Sequence, residues 1–148
     1  MPNLCWNRVR IVGHKSDLDL FEKYALSFEH FYPRPSNDNS DICEWSLLNW
    51  GTKWEYDPES YRILSRTPNS LVVCFETAWQ PPLRFFEHLL KKFPRCWVKV
   101  EFQIDQCEEG VWVAYCKDGE IKDRSMFWLP PDDTLTTDGQ ILIPEFEE

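Results

Sequence analysis

The side chains best suited to chemistry in this chain are six cysteines, three histidines and an unusual set of eight tryptophans. A cysteine becomes a nucleophile or a metal ligand as its thiolate, which needs nearby cations or a helix N-terminus. The cysteines stand at positions 5, 43, 74, 96, 107 and 116, and no two form a Cys-x-x-Cys pair. His14, His30 and His88 are equally scattered. A zinc site built from sequence-local pairs is therefore not supported, and no metal is expected. Cys107 is followed by Glu108 and Glu109, whose like charge disfavours a thiolate. His88 falls out of phase with the apolar stripe of its segment, which predicts an exposed ring. No Ser/His/Asp or Cys/His set assembles from local sequence. Only five glycines are present, and none forms a phosphate-cradling loop. No catalytic residue and no cofactor are assigned, and a hydrolase is the weakest of three functional readings.

The tryptophans are more informative. Asn49-Trp50-Gly51-Thr52-Lys53-Trp54 and Thr77-Ala78-Trp79-Gln80-Pro81-Pro82 are expected to meet in one corner, where a strand hands over to a helix. An indole buries a large apolar area but carries an N–H that wants a partner. Asn7, Asn49, Thr52 and Thr77 are candidates to supply it, and Lys53 to pair with Glu76 or Asp57. One reading is a polar-lined aromatic plug. The other is a binding site made of Asn7, Asn49, Trp50, Lys53, Trp54, Glu76 and Trp79, where a planar or anionic group stacks on indole and pairs with Lys53.

Charge is unevenly spread. Residues 1–104 hold 13 Lys+Arg and 13 Asp+Glu, whereas residues 105–148 hold 3 and 12, so the whole net charge of −9 lies in the last 44 residues. A generic binder of phosphate backbones would show the opposite sign, and direct nucleic-acid binding is not expected. An acidic surface carrying Glu108, Glu109, Asp118, Glu120, Asp132 and Asp133 could instead face a basic partner. No run of about 18 apolar residues suggests a membrane span. The first residues lack a basic-then-apolar leader, so a cytosolic location is the default expectation. Oligomeric state is left open.

Hydrophobic periodicity supplies the elements that must position these residues. Residues 4–12 alternate, with Cys5, Asn7, Val9 and Ile11 on one face, as a strand with one core side does. Residues 17–30 carry a helical stripe of Leu18, Phe21, Ala25 and Phe28, with Ser16 as the expected N-cap. A loop at 32–40 is rich in Pro, Asn and Ser. A short helix near 41–49 should end at Gly51 as a left-handed cap. Strands are predicted over 61–66, 71–77 and 97–105. A helix over 83–93 begins with Pro81 and Pro82 in its first turn and buries Leu83, Phe86, Leu90 and Phe93. It is expected to lie across Val9, Ile11, Val73 and Phe75. This order predicts an α+β fold: a ferredoxin-like split βαβ sandwich over residues 1–105, with an antiparallel four-stranded sheet and two main helices on one face. Residues 106–148 would add a C-terminal β-hairpin around Lys117-Asp118-Gly119-Glu120 and an acidic tail, with 141–143 as a further short strand.

The two tryptophan stretches, extended to Phe75-Glu76 at the start of the second, together with Asn3-Leu4-Cys5-Trp6-Asn7-Arg8-Val9-Arg10-Ile11-Val12-Gly13, resemble YubB-like proteins of bacterial phages and plasmids. The resemblance spans about residues 3–104. It implies a ferredoxin-like domain and a mobile-element setting, and it supplies no catalytic residue. The leading expectation is a non-catalytic interaction protein that binds a host protein or defence complex through acidic residues. The alternative is a binder of a nucleotide-like small ligand at the tryptophan corner.

Overall fold

The computed structural model describes residues 4–35, 42–104 and 108–128. Among these residues six strands form a single sheet: β1 (Leu4–Val12), β2 (Arg62–Thr67), β3 (Ser70–Ala78), β4 (Trp97–Ile104), β5 (Glu109–Lys117) and β6 (Glu120–Trp128). Their spatial order is β2-β3-β1-β4-β5-β6, and every pairing is antiparallel. The helices are α1 (Lys15–Lys23), α2 (Phe28–Phe31), α3 (Ile42–Asn49) and α4 (Leu83–Lys92).

The expected four-stranded ferredoxin-like sandwich with two main helices and an appended hairpin is thereby overturned. In a four-stranded sheet the outer edge of β4 would leave a row of N–H and C=O groups unpaired. Here β5 pairs that edge from Trp97↔Tyr115 to Gln103↔Glu109, and β6 continues the ladder from Lys117↔Glu120 to Glu109↔Trp128. The hairpin is part of the sheet. Asp118 and Gly119 take positive φ at its turn, as an Asp-Gly hairpin requires.

The long first helix is also not present. α1 stops at Lys23, and Ala25 and Leu26 both adopt φ +50. That left-handed step ends the helix and leaves Leu26 wholly buried in the core. Leu26 N–H still finds a carbonyl, that of Phe21, at 2.9 Å. α2 then restarts, capped by Ser27 Oγ and by the Glu55 carboxylate, which accepts from the N–H groups of Phe28 and Glu29 at 3.0 Å each. Ser16 does not cap α1; His14 holds that position without a side-chain bond.

Burial alternates strictly along β1 and nearly so along β4, so one face of the sheet carries the core. Val9, Ile11, Leu71, Val73, Phe75, Val98 and Val100 pack there with Leu18, Phe21, Phe28, Phe85 and Phe86. Phe28 is the hub, with ring centroids 4.5 Å from Phe85, 5.6 Å from Trp50 and 6.0 Å from Phe75. α1 lies against β3, whereas α4 lies chiefly against β4, β5 and β6. The expected seat of α4 over Val9, Ile11, Val73 and Phe75 is corrected: widening the sheet moves its middle towards β4, and the helix follows. Its buried side chains are Phe85, Phe86, Leu89 and Leu90, and both prolines precede its first turn, Pro82 being the N-cap. Asp105, Cys107, Asp132, Asp133 and the expected strand at 141–143 lie outside the described residues.

Candidate functional site

The corner is built from the ends of α3, β3 and α4. Gly51 sits just beyond α3 at φ +86, and the N–H groups of Trp50 and Gly51 both bond Ser46 O, at 2.7 and 3.0 Å. A Cβ on Gly51 would stand 3.3 Å from Arg84 N, so glycine serves both the left-handed backbone and the close approach to α4. Trp50 is 0% exposed. Its indole N–H donates to Tyr32 O at 2.9 Å, and its carbonyl accepts Phe85 N–H at 3.1 Å. Asn49 ties α3 to the preceding loop, accepting from Tyr32 O–H at 2.7 Å and donating to Trp45 O at 2.9 Å. These two residues are the plug.

Beneath the corner a buried polar chain fixes the end of β3. Asn7 Nδ2 donates to Thr77 Oγ1 at 2.9 Å, and Thr77 Oγ1 donates to Gln80 O at 2.7 Å. Thr52 Oγ1 donates to Ala78 O at 2.6 Å. Gln80 N–H also bonds Ala78 O, at 2.8 Å. With Trp79 at φ +71, this is a γ-turn of the strained positive-φ kind. A tryptophan in left-handed backbone costs about 1–3 kcal/mol, and such strain persists where the surroundings over-determine it.

The outer layer is different. Trp54 and Trp79 are 45% and 42% exposed. Lys53 Nζ lies over both rings, 5.6 Å from the Trp54 centroid and 5.7 Å from that of Trp79. Lys53 makes no ion pair with Glu76 or Asp57; Asp57 instead accepts from Glu59 N–H. Glu76 faces away, on the opposite side of the sheet and across from Trp6. Of the seven residues expected to form the site, the structure brings Lys53, Trp54 and Trp79 together at the surface, uses Asn7, Asn49 and Trp50 as supports, and places Glu76 elsewhere.

The expected acidic surface is dispersed among the described residues. Glu108 and Glu109 stand at one end of β5, Asp118 and Glu120 at the other, nine residues away along the strand, a span of about 30 Å at strand rise. Glu109 accepts from Trp128 Nε1, and Glu120 pairs with Lys122.

Two of the thiols and one of the imidazoles are withdrawn from solvent. Burial pushes the Cys5 thiol up to about 12 and that of Cys96 also to about 12, the latter aided by nearby Asp17. His88 is half-buried rather than exposed, stacked on Tyr32 with centroids 3.6 Å apart, and burial lowers its pKa. Among the described residues no group of three or more His, Cys, Asp or Glu is placed to hold a metal ion. No helix among the described residues is long and apolar enough to cross a membrane.

The hairpin adds residues that the sequence reading left out of any site. On the sheet face away from the core, Tyr115, Lys122 and Arg124 extend the row begun by Trp6, Arg8, Arg10, Trp97 and Lys99. The only sequence signal for this was the alternation within residues 109–128, which fixes a face but not the sheet that the face joins. No protein-family model, curated protein or solved structure matches the chain, so the resemblance to YubB-like proteins stands on the three quoted stretches alone.

Proposed function

We propose that this protein is a non-catalytic interaction module whose anchor is the Trp54–Lys53–Trp79 corner, and that its partner is a protein surface carrying a carboxylate beside apolar side chains. The observation that carries this reading is a pair of exposed indoles flanking a cation, on backbone held by a buried polar chain. Tryptophan is among the residues most enriched at interface hot spots. Rigid presentation also lowers the entropy lost on binding. A carboxylate can replace water on Lys53 while the indoles cover the apolar flank. The mobile-element resemblance points to a host protein as that partner.

The test uses three variants, Trp54→Ala, Trp79→Gly and Lys53→Glu, in affinity capture from bacterial lysate at low and high salt. The expected result is a defined protein retained by the wild type and lost by all three variants, none of which has a lower melting temperature than the wild type. Equal retention by wild type and variants sinks the reading. A nucleotide-like ligand would use the same stacking geometry, and a thermal shift with nucleotides that vanishes in Trp54→Ala would favour that alternative.

A further inference from the structure

The face of the sheet opposite the core carries an aromatic and cationic surface that no single segment of sequence contains. The register places it in rows running across the strands. One row runs Val12 (β1), Trp97 (β4), Tyr115 (β5) and Lys122 (β6); the next runs Arg10, Lys99, Val113 and Arg124. Trp97 and Tyr115 are directly opposite each other and are 37% and 47% exposed. These two rows hold four cations and no carboxylate. Lys99 and Lys122 make ion pairs with Glu101 and Glu120 at 3.3 and 3.1 Å, both solvent-exposed, and such pairs exchange readily for another anion. Arg10 and Arg124 are exposed and form no hydrogen bond or ion pair with the described residues. Tyr115, Lys122 and Arg124, with Val113 and Asp123, also line an open groove of about 560 Å³. Asp123 is occupied there, accepting from Trp112 Nε1 at 2.8 Å.

We propose that this face binds a single-stranded nucleic acid, with bases stacked on Trp97 and Tyr115 and phosphates on Arg10, Lys99, Lys122 and Arg124. Aromatic rings bared on a sheet require unstacked bases, which a duplex does not offer. Both DNA and RNA strands carry that chemistry, and the experiment separates them. The proposal runs against the expectation drawn from the net charge of −9. That expectation summed charge over the chain, whereas a strand is held within a Debye length, about 8 Å at physiological salt. Six of the acidic residues in that sum lie in 129–148, which are not among the described residues. This surface lies at the opposite end of the sheet from the tryptophan corner, since Trp97 is across from Val12 and the corner follows Ala78, across from Leu4. The two proposals can therefore fail separately.

The test is fluorescence anisotropy of the full chain with labelled single-stranded DNA and RNA of about 12 nucleotides, inside the usual range of site sizes, and with the matching duplex. Single strands are expected to bind at low salt and the duplex more weakly. Trp97→Ala and Tyr115→Ala should each weaken binding by about tenfold, and Trp97→Phe should restore most of it. Arg124→Ser should lower the slope of log affinity against log salt by about 0.7, which a purely structural change would not do. No binding of either single strand at low salt, or equal binding by wild type and Trp97→Ala, overturns the proposal. So does a carbodiimide crosslink that joins Lys99 or Lys122 to Asp132, Asp133 or Asp138 and is unchanged by excess oligonucleotide, because the face would then belong to the chain's own acidic end.

Discussion

At the scale of single residues, the three tryptophans of the corner have opposite physical roles. Trp50 is a wholly buried side chain with its N–H satisfied, so Trp50→Ala is expected to cost about 3–5 kcal/mol, read as a lower urea midpoint. Trp54→Ala removes a half-exposed ring and its one weak contact to Lys53, and should change stability by less than about 1 kcal/mol. Trp79 is held at φ +71, which glycine adopts freely. Trp79→Gly should therefore raise stability by up to about 1 kcal/mol while abolishing partner binding. A large loss of stability in Trp79→Gly would show the indole to be structural. The thiols give a second expectation at this scale. With Cys5 and Cys96 raised to about 12 by burial, both stay protonated at pH 8. An aromatic disulfide reagent should modify them only after unfolding, as mass spectrometry of the labelled peptides will show.

At the scale of elements, α2 exists because Glu55, from the far side of the loop, caps it. Its carboxylate accepts from Ser27 Oγ and from the N–H groups of Phe28, Glu29 and Tyr56. Glu55→Ala should cost about 1–2 kcal/mol through loss of that cap. Burial nevertheless outweighs these bonds and raises the Glu55 pKa above its ordinary 4.5. A raised carboxyl favours the protonated folded state. Its contribution to stability is present below pH 4.5 and is lost as pH rises through the folded value. Melting temperatures of wild type and Glu55→Gln across pH 4 to 8 should diverge in that sense, the wild type losing stability relative to the variant as pH rises. The opposite slope would mean that the N–H groups, not burial, dominate.

At the scale of the whole molecule, the decisive feature is that the C-terminal hairpin completes one sheet. Gly110 is closely packed within that join. A Cβ there would lie 2.5 Å from Phe102 Cζ, 2.8 Å from Phe127 Cβ and 2.9 Å from Met126 O. Gly110→Val is expected to destabilise the fold by about 1–3 kcal/mol through overpacking. Hydrogen exchange should rise first in β5 and β6 and along the β4 edge. Unchanged protection there would mean that the hairpin does not depend on β4.

Local pattern alone determined a good deal. The alternation of Cys5, Asn7, Val9 and Ile11 fixed the core face of β1, because side chains on a strand repeat every two residues. Gly51 and the Asp-Gly at 118–119 announced their turns, since few other residues take positive φ cheaply. The meeting of the two tryptophan stretches was likewise legible. Tertiary structure decided the rest. The stripe through Ala25 argued for one long helix, but seating Leu26 in the core was worth a left-handed break. Only the pairing of β4 with β5 put Tyr115, Lys122 and Arg124 beside Trp97 and Arg10. An edge strand finds its neighbour through backbone hydrogen bonds, which any sequence can make, and so leaves little trace in side-chain pattern.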